Sequence, residues 1–140
     1  MKNRLIMVLC AAAVLVTGFV NEAPDLAAGP QQQRTPAVHR FKVGKLNGKW
    51  KVYDQKNSNN RMIVANRGDN VVWSAAGSDA FIQFPDAAIF GLADTSVASG
   101  KAITLTVSPN AKPGRYAYSI FCLKDRQYAT GDSPPIIIIK

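Results

Sequence analysis

Cys122 and His39 are the side chains best suited to metal or nucleophile chemistry, and each stands alone. The chain holds two cysteines and one histidine. Cys10 falls in an apolar N-terminal run, which leaves Cys122 as the only thiol in the rest of the chain. A lone thiol in an oxidising compartment is buried, a metal ligand, or a site of reaction. Lys124 and Arg126 lie close enough in sequence to favour a thiolate. Free cysteine otherwise behaves as a small hydrophobe, so burial is the expected state. One histidine excludes any two-imidazole metal site and leaves only His39 for a serine–histidine relay. The acids are scattered, and there is no C-x-x-C and no glycine-rich phosphate loop. Nothing here assembles a catalytic constellation, and the chain is expected not to be an enzyme. Arg67-Gly68-Asp69 spells an adhesion tripeptide but reads as a turn opening a strand.

The bases are the other chemical resource. The formal net charge is +8. Between positions 30 and 67 nine bases face one acid, Asp54, whereas six bases balance six acids from 68 to 140. Such asymmetry points to an anionic partner. Arg40-Phe41-Lys42-Val43 and Lys49-Trp50-Lys51-Val52-Tyr53 alternate, with Gly44-Lys45-Leu46-Asn47-Gly48 between them as a five-residue hairpin loop. Alternation places Phe41, Val43, Trp50 and Val52 on one face and Arg40, Lys42, Lys49 and Lys51 on the other. Like charges on one face repel and lower stability. Lys and Arg also guard an edge hairpin against pairing with other chains, which is the plain reading of such a face.

Positions 1–29 read as a secretory signal peptide. Lys2 and Arg4 precede a run over positions 5–20 that is apolar apart from Thr17 and Gly18, and it is too short for an ordinary spanning helix. The mature protein is therefore expected in the periplasm or secreted, with no stable membrane span. Positions 30–37 read as a polar linker and 38–140 as one domain. A β-sandwich of that size buries a sufficient core without disulfides.

Strand patterns dominate the domain. After the hairpin come Arg61-Met62-Ile63-Val64-Ala65, Asn70-Val71-Val72-Trp73-Ser74 and Ala80-Phe81-Ile82-Gln83-Phe84. Pro85 opens the one helical turn. Lys101-Ala102-Ile103-Thr104-Leu105-Thr106-Val107 alternates as a half-buried strand. Pro113 and Gly114 mark the turn into Tyr116-Ala117-Tyr118-Ser119-Ile120-Phe121-Cys122. Ile136-Ile137-Ile138-Ile139 lacks alternation, as a strand buried on both faces does. Short strands between Gly, Pro, Asn and Asp turns predict an all-β sandwich.

Three segments carry a family resemblance: Gly68-Asp69-Asn70-Val71-Val72-Trp73, the alternating strand at 101–107, and Gly114-Arg115-Tyr116-Ala117-Tyr118. They resemble the cupredoxins, the plastocyanin and azurin type, and imply a Greek-key β-sandwich. In that family a blue-copper site takes two imidazoles, a thiolate and often an axial Met. The resemblance puts Asp79 or Ala80 at the first imidazole position. It puts Ile120 where the cysteine belongs, with Cys122 two residues further on the same strand face. Positions 123–132 contain neither His nor Met. The resemblance thus implies the fold without the copper ligands, and no cofactor is expected.

Together these readings describe an exported, non-catalytic binding or accessory module. Its candidate surface for an anionic partner is Arg40, Lys42, Lys49 and Lys51. An exported chain meets membrane phosphates, cell-surface polyanions or acidic proteins rather than nucleic acid. A second candidate surface lies at the loop end: Asp79, Cys122, Asp125 and Tyr128, with Tyr128 as an anchor. The alternative is a metal-handling or electron-transfer protein that uses Cys122 with unconventional ligands, copper included.

Overall fold

A computed structural model describes residues 34–130 and 134–140 of the protein. The segment read as a leader lies outside the described residues. The strands in chain order are β1 (Val38–Leu46), β2 (Lys49–Asp54), β3 (Met62–Ala65), β4 (Asn70–Ala75), β5 (Ala80–Gln83), β6 (Asp94–Val97), β7 (Ala102–Thr106), β8 (Gly114–Ala117), β9 (Ser119–Cys122), β10 (Gln127–Tyr128) and β11 (Ile136–Ile139). One 3-10 turn, Ala87–Ile89, follows Pro85, and the Asp86 side chain accepts from the Ala88 N–H at 2.8 Å to cap it.

Three hydrogen-bonded sheets build the two layers of the sandwich, β10-β9-β5-β6 and β3-β11-β8 joining in the second layer. The first layer has the order β2-β1-β4-β7, with β1 and β4 parallel. The second is built around β8 and β9, which are separated only by Tyr118. The Tyr118 N–H donates to Pro135 O at 3.0 Å, and Ala129 N–H donates to Ile120 O at 2.8 Å. The ladder therefore runs on through the interruption. β10 lies beside β9 and β11 beside β8, with β5-β6 next to β9 and β3 next to β11. The chain passes between layers after β2, β3, β4, β6 and β7, which is the Greek-key pattern.

Alternation explains the packing. Phe41, Val43, Trp50, Val52 and Trp73 of the first layer meet Ile63, Ile82, Ile120, Ile137 and Ile139 of the second in one core. Trp73 makes edge contacts with Phe90 and Tyr118, at centroid distances of 5.5 and 6.0 Å. Its indole N–H donates to the Tyr118 hydroxyl at 3.3 Å. Burial pushes that phenol well above its usual ionisation range, so it remains a neutral hydrogen-bonding group.

Three details differ from the sequence expectation. The hairpin loop is two residues, not five: Leu46 pairs with Lys49, and Asn47 and Gly48 take φ of 51° and 74°. Asn-Gly is the pair that suits a tight turn with positive φ at both positions, and its twist lets both strands extend to the turn. β6 lies in Asp94-Thr95-Ser96-Val97, which is too polar to stand out as a strand. It forms because β5 offers a partner along its full length. β10 lies in what reads as loop, held by two register pairs to Cys122 and Phe121.

Candidate functional site

The loop end that resembles a copper site is closed by apolar packing and ion pairing. Ala80 of β5 pairs directly with Cys122 of β9, and both are fully buried. Cys122 is therefore not part of a surface, contrary to the loop-end expectation; the strand face shared with Ile120 points it into the core. Burial, with a contribution from the Asp125 charge, pushes its thiol up to about 11. Lys124 and Arg126 do not offset this, because neither reaches into the core with the sulfur. Asp79 is exposed and accepts from the Ser99 N–H at 2.7 Å. Asp125 accepts from the Trp50 indole N–H at 2.9 Å and pairs with Lys45. Lys45 first, then Trp50, hold its carboxyl below the usual range.

The single imidazole is far from this end. His39 is the second residue of β1 and donates from Nε2 to Asp69 at 3.0 Å. Six residues of strand separate it from Lys45, about 20 Å at 3.3 Å per residue. Among the described residues no cluster of three His, Cys, Asp or Glu side chains comes together. One buried, protonated thiol with two occupied carboxylates nearby does not fit a copper site that needs imidazoles and a thiolate. We expect a thiol reagent to leave Cys122 untouched in the native protein at pH 8 and to label it fully in denaturant. Raised pKa also carries a sign. The unfolded thiol ionises near 9 and the folded one near 11, so stability is complete below pH 9 and declines between 9 and 11. Rapid native labelling would show the sulfur to be accessible.

Tyr128, by contrast, is well exposed. Its ring meets Phe121 at 5.1 Å, and Phe121 pairs across the sheet with Phe81. With Leu123 these rings form an apolar strip on the outer face of the second sheet. Asp79 borders the groove along this strip, but Cys122 and Asp125 do not. The non-alternating run Ile120-Phe121-Cys122-Leu123 concealed which of its members face outward.

The outer face of the first sheet brings the four bases together. Register places Arg40, Lys42, Lys49 and Lys51 outward, in rows with Leu46, Gly44, Tyr53, Ser74, Ala102, Val72 and Thr104. Among the described residues no carboxylate shares the face. Asp54 has the opposite parity, beside Phe41, and its oxygens accept from Lys56 N–H and Asn60. Among the described residues none of the four bases forms an ion pair. Nor do they oppose one another: Lys49 faces Leu46, Lys51 faces Gly44, and Lys42 faces Tyr53. The stagger spreads the repulsion that the sequence pattern alone implies, since like charges destabilise most when directly opposite.

The edge of β2 is already covered. Val52 N–H donates to Thr130 O at 3.3 Å, Thr130 N–H to Trp50 O at 3.0 Å, and Asp54 N–H to Asn60 O at 2.9 Å. Sequence reasoning missed two contributors to the face. Tyr53 shares the parity of Lys49 and Lys51 and was legible in the alternation. Lys101 precedes β7, and only the pairing of β7 with β4 brings it near Lys42.

No protein-family model matches the chain, and no curated protein matches it. Solved structures do show similarity. A reduced Cu(I) form of an amicyanin variant shares 15% identity over 77% of this chain and 87% of that one, with a TM-score of 0.44. A second Cu(I) amicyanin variant gives the same identity and coverage with a TM-score of 0.45. An apo copper binding protein solved by NMR shares 14% identity over 77% and 93% of the two chains, with a TM-score of 0.43. The fold assignment stands on the strand order and register of this chain itself.

Proposed function

We propose that this cupredoxin-like sandwich is a non-catalytic binding module that docks an anionic partner through the outer face of β2-β1-β4-β7. The observation that carries the reading is a sheet face that holds Arg40, Lys42, Lys49 and Lys51 and, among the described residues, neither a carboxylate nor an ion pair to any of the four. Protecting an open edge is a weaker account of these bases. The outward backbone groups of β2 at Trp50, Val52 and Asp54 already have partners in Thr130 and Asn60. The bases also point away from the sheet plane rather than along its edge. Positive side chains on a face without acids raise the local concentration of anions and speed their encounter.

The leader pattern of positions 1–29 supports export, and export directs the search for a partner to anionic components outside the cytoplasm. Among the described residues no helix is long and apolar enough to cross a membrane. The test is salt-dependent binding of the protein to an anionic polymer, with and without the four bases.

Function without copper has its own test. Protein exposed to Cu(I) or Cu(II) and then dialysed is expected to retain no stoichiometric metal and to show no thiolate-to-copper absorption. Retention that disappears in Cys122→Ser would replace this reading with metal handling.

A further inference from the structure

The same face contains a concave site with a more specific chemistry. A groove of about 590 Å³ lies over β1 and β4, bordered by Lys42, Tyr53, Gln55, Ser74, Ala76 and Lys101. Its volume falls within the roughly 300–1,000 Å³ range of small-molecule sites. We propose that this groove seats one oxyanion group, a phosphate or sulfate ester carried on a small polar unit such as a sugar. The inference rests on the docking face described above and names the group that face would recognise.

Four observations build the site. First, the Tyr53 hydroxyl lies over Gly44 of β1 and close to Ala76. A Cβ at position 44 would lie 3.4 Å from the Tyr53 hydroxyl and 3.7 Å from the Ala76 Cβ. A larger side chain would occupy the space that the ring crosses. Second, the half-buried Tyr53 hydroxyl has no hydrogen-bond partner among the described residues, so it is available to donate. Third, Lys42 of β1 and Lys101, just before β7, both line the groove, and among the described residues no carboxylate does. Fourth, Gln55 is already oriented: its Nε2 donates to Ser74 Oγ at 2.8 Å, and Ser74 Oγ donates to Phe41 O at 3.3 Å. One N–H of the amide remains for a ligand.

The available groups are mainly donors, two lysines, one phenol and one amide N–H, beside the acceptor Gln55 Oε1. An oxyanion with several acceptor oxygens satisfies such a set, and hydrogen bonds to a charged group are the stronger kind. A carrier with hydroxyls suits a groove lined by both polar side chains and alanines, with Ala75, Ala76 and Ala102 leaving room for it.

The experiment uses ¹⁵N-labelled protein titrated with inorganic phosphate, glucose 6-phosphate and glucose, followed by amide shifts. Saturable shifts at Tyr53, Ser74, Ala76 and Lys101 are expected with the two phosphates and not with glucose. Glucose 6-phosphate is expected to bind more tightly than inorganic phosphate. Tyr53→Phe and Lys101→Gln, both outside the four-base set, should each weaken the site about tenfold, the value of a hydrogen bond to a charged group. Polymer binding that depends on Arg40, Lys42, Lys49 and Lys51, with no saturable shift in the groove, would overturn this inference and leave the docking face standing. Absence of both would overturn both. Equal binding of glucose and glucose 6-phosphate would overturn the oxyanion assignment alone.

Discussion

Asp69→Ala is expected to destabilise the protein by about 3 kcal/mol, the low end of the cost of removing one partner from a buried ion pair. The Asp69 carboxylate is fully buried and gathers four donors. Ala37 N–H and Asn66 N–H donate to it at 3.0 and 2.9 Å, His39 Nε2 at 3.0 Å, and Arg34 forms an ion pair. It therefore ties residues 34–39 to the turn that opens β4. Arg34 is half-exposed and recovers hydration when the carboxylate is lost. The two backbone amides and the imidazole do not recover it as readily, and they account for most of the cost. In a domain whose total stability is about 5–15 kcal/mol this is a large fraction. Urea unfolding measures it directly, and a loss below about 1 kcal/mol would show that the donors find other partners.

The same carboxylate gives a pH signature. Burial alone would raise its pKa. The Asn66 N–H, His39, the Ala37 N–H and Arg34 outweigh that and hold it well below the usual carboxylate range. The folded value is depressed, so its contribution is complete above the unfolded value of about 3.9 and is lost as pH falls below it. Asp69→Asn should flatten the acid limb of the stability curve. Burial of Asp69 also removes it from any display of the Arg67-Gly68-Asp69 tripeptide, although Arg67 itself is exposed. Asp69 is buried, and Arg67 Nε donates to Ala111 O at 2.7 Å.

The second large effect is on binding. Replacing Arg40, Lys42, Lys49 and Lys51 with Gln is expected to weaken association with a sulfated polymer roughly a hundredfold at low salt. That follows from four outward-facing charges worth about 0.7 kcal/mol each, within the range of about 0.2–1 kcal/mol for such charges. Affinity of the unaltered protein should itself fall steeply as salt rises, since exposed charges are screened over about 8 Å at physiological ionic strength. The quadruple variant should lose most of that salt dependence. Its folding stability should be equal or slightly higher, because the register puts no two of these bases directly opposite. Gln replacement of Lys112 and Arg115, away from the face, provides the comparison and should change little. Equal affinity in the quadruple variant and the parent would reduce the basic face to a solubility feature.

Local pattern alone determined much of this protein. Alternation over Arg40 to Val43 and Lys49 to Val52 assigned each residue to the core or the outer face, because successive strand side chains point to opposite sides. The four-isoleucine run announced a strand with little solvent on either face, and it lies between β3 and β8. The absence of paired imidazoles argued against copper from composition alone. Tertiary structure decided the rest. Whether Cys122 is a reactive thiol or a core atom depended on which face of β9 meets the other sheet, and the Ile120-Phe121-Cys122-Leu123 run has no alternation to reveal it. The covered edge of β2 depended on Thr130, about 80 residues away in sequence. The groove needed Lys101 beside Lys42, a meeting produced by β7 pairing with β4 and not by spacing along the chain. Short-range sequence encodes the side of a strand; which strands become neighbours is settled by burying two apolar faces against each other, and sites shared between strands emerge only there.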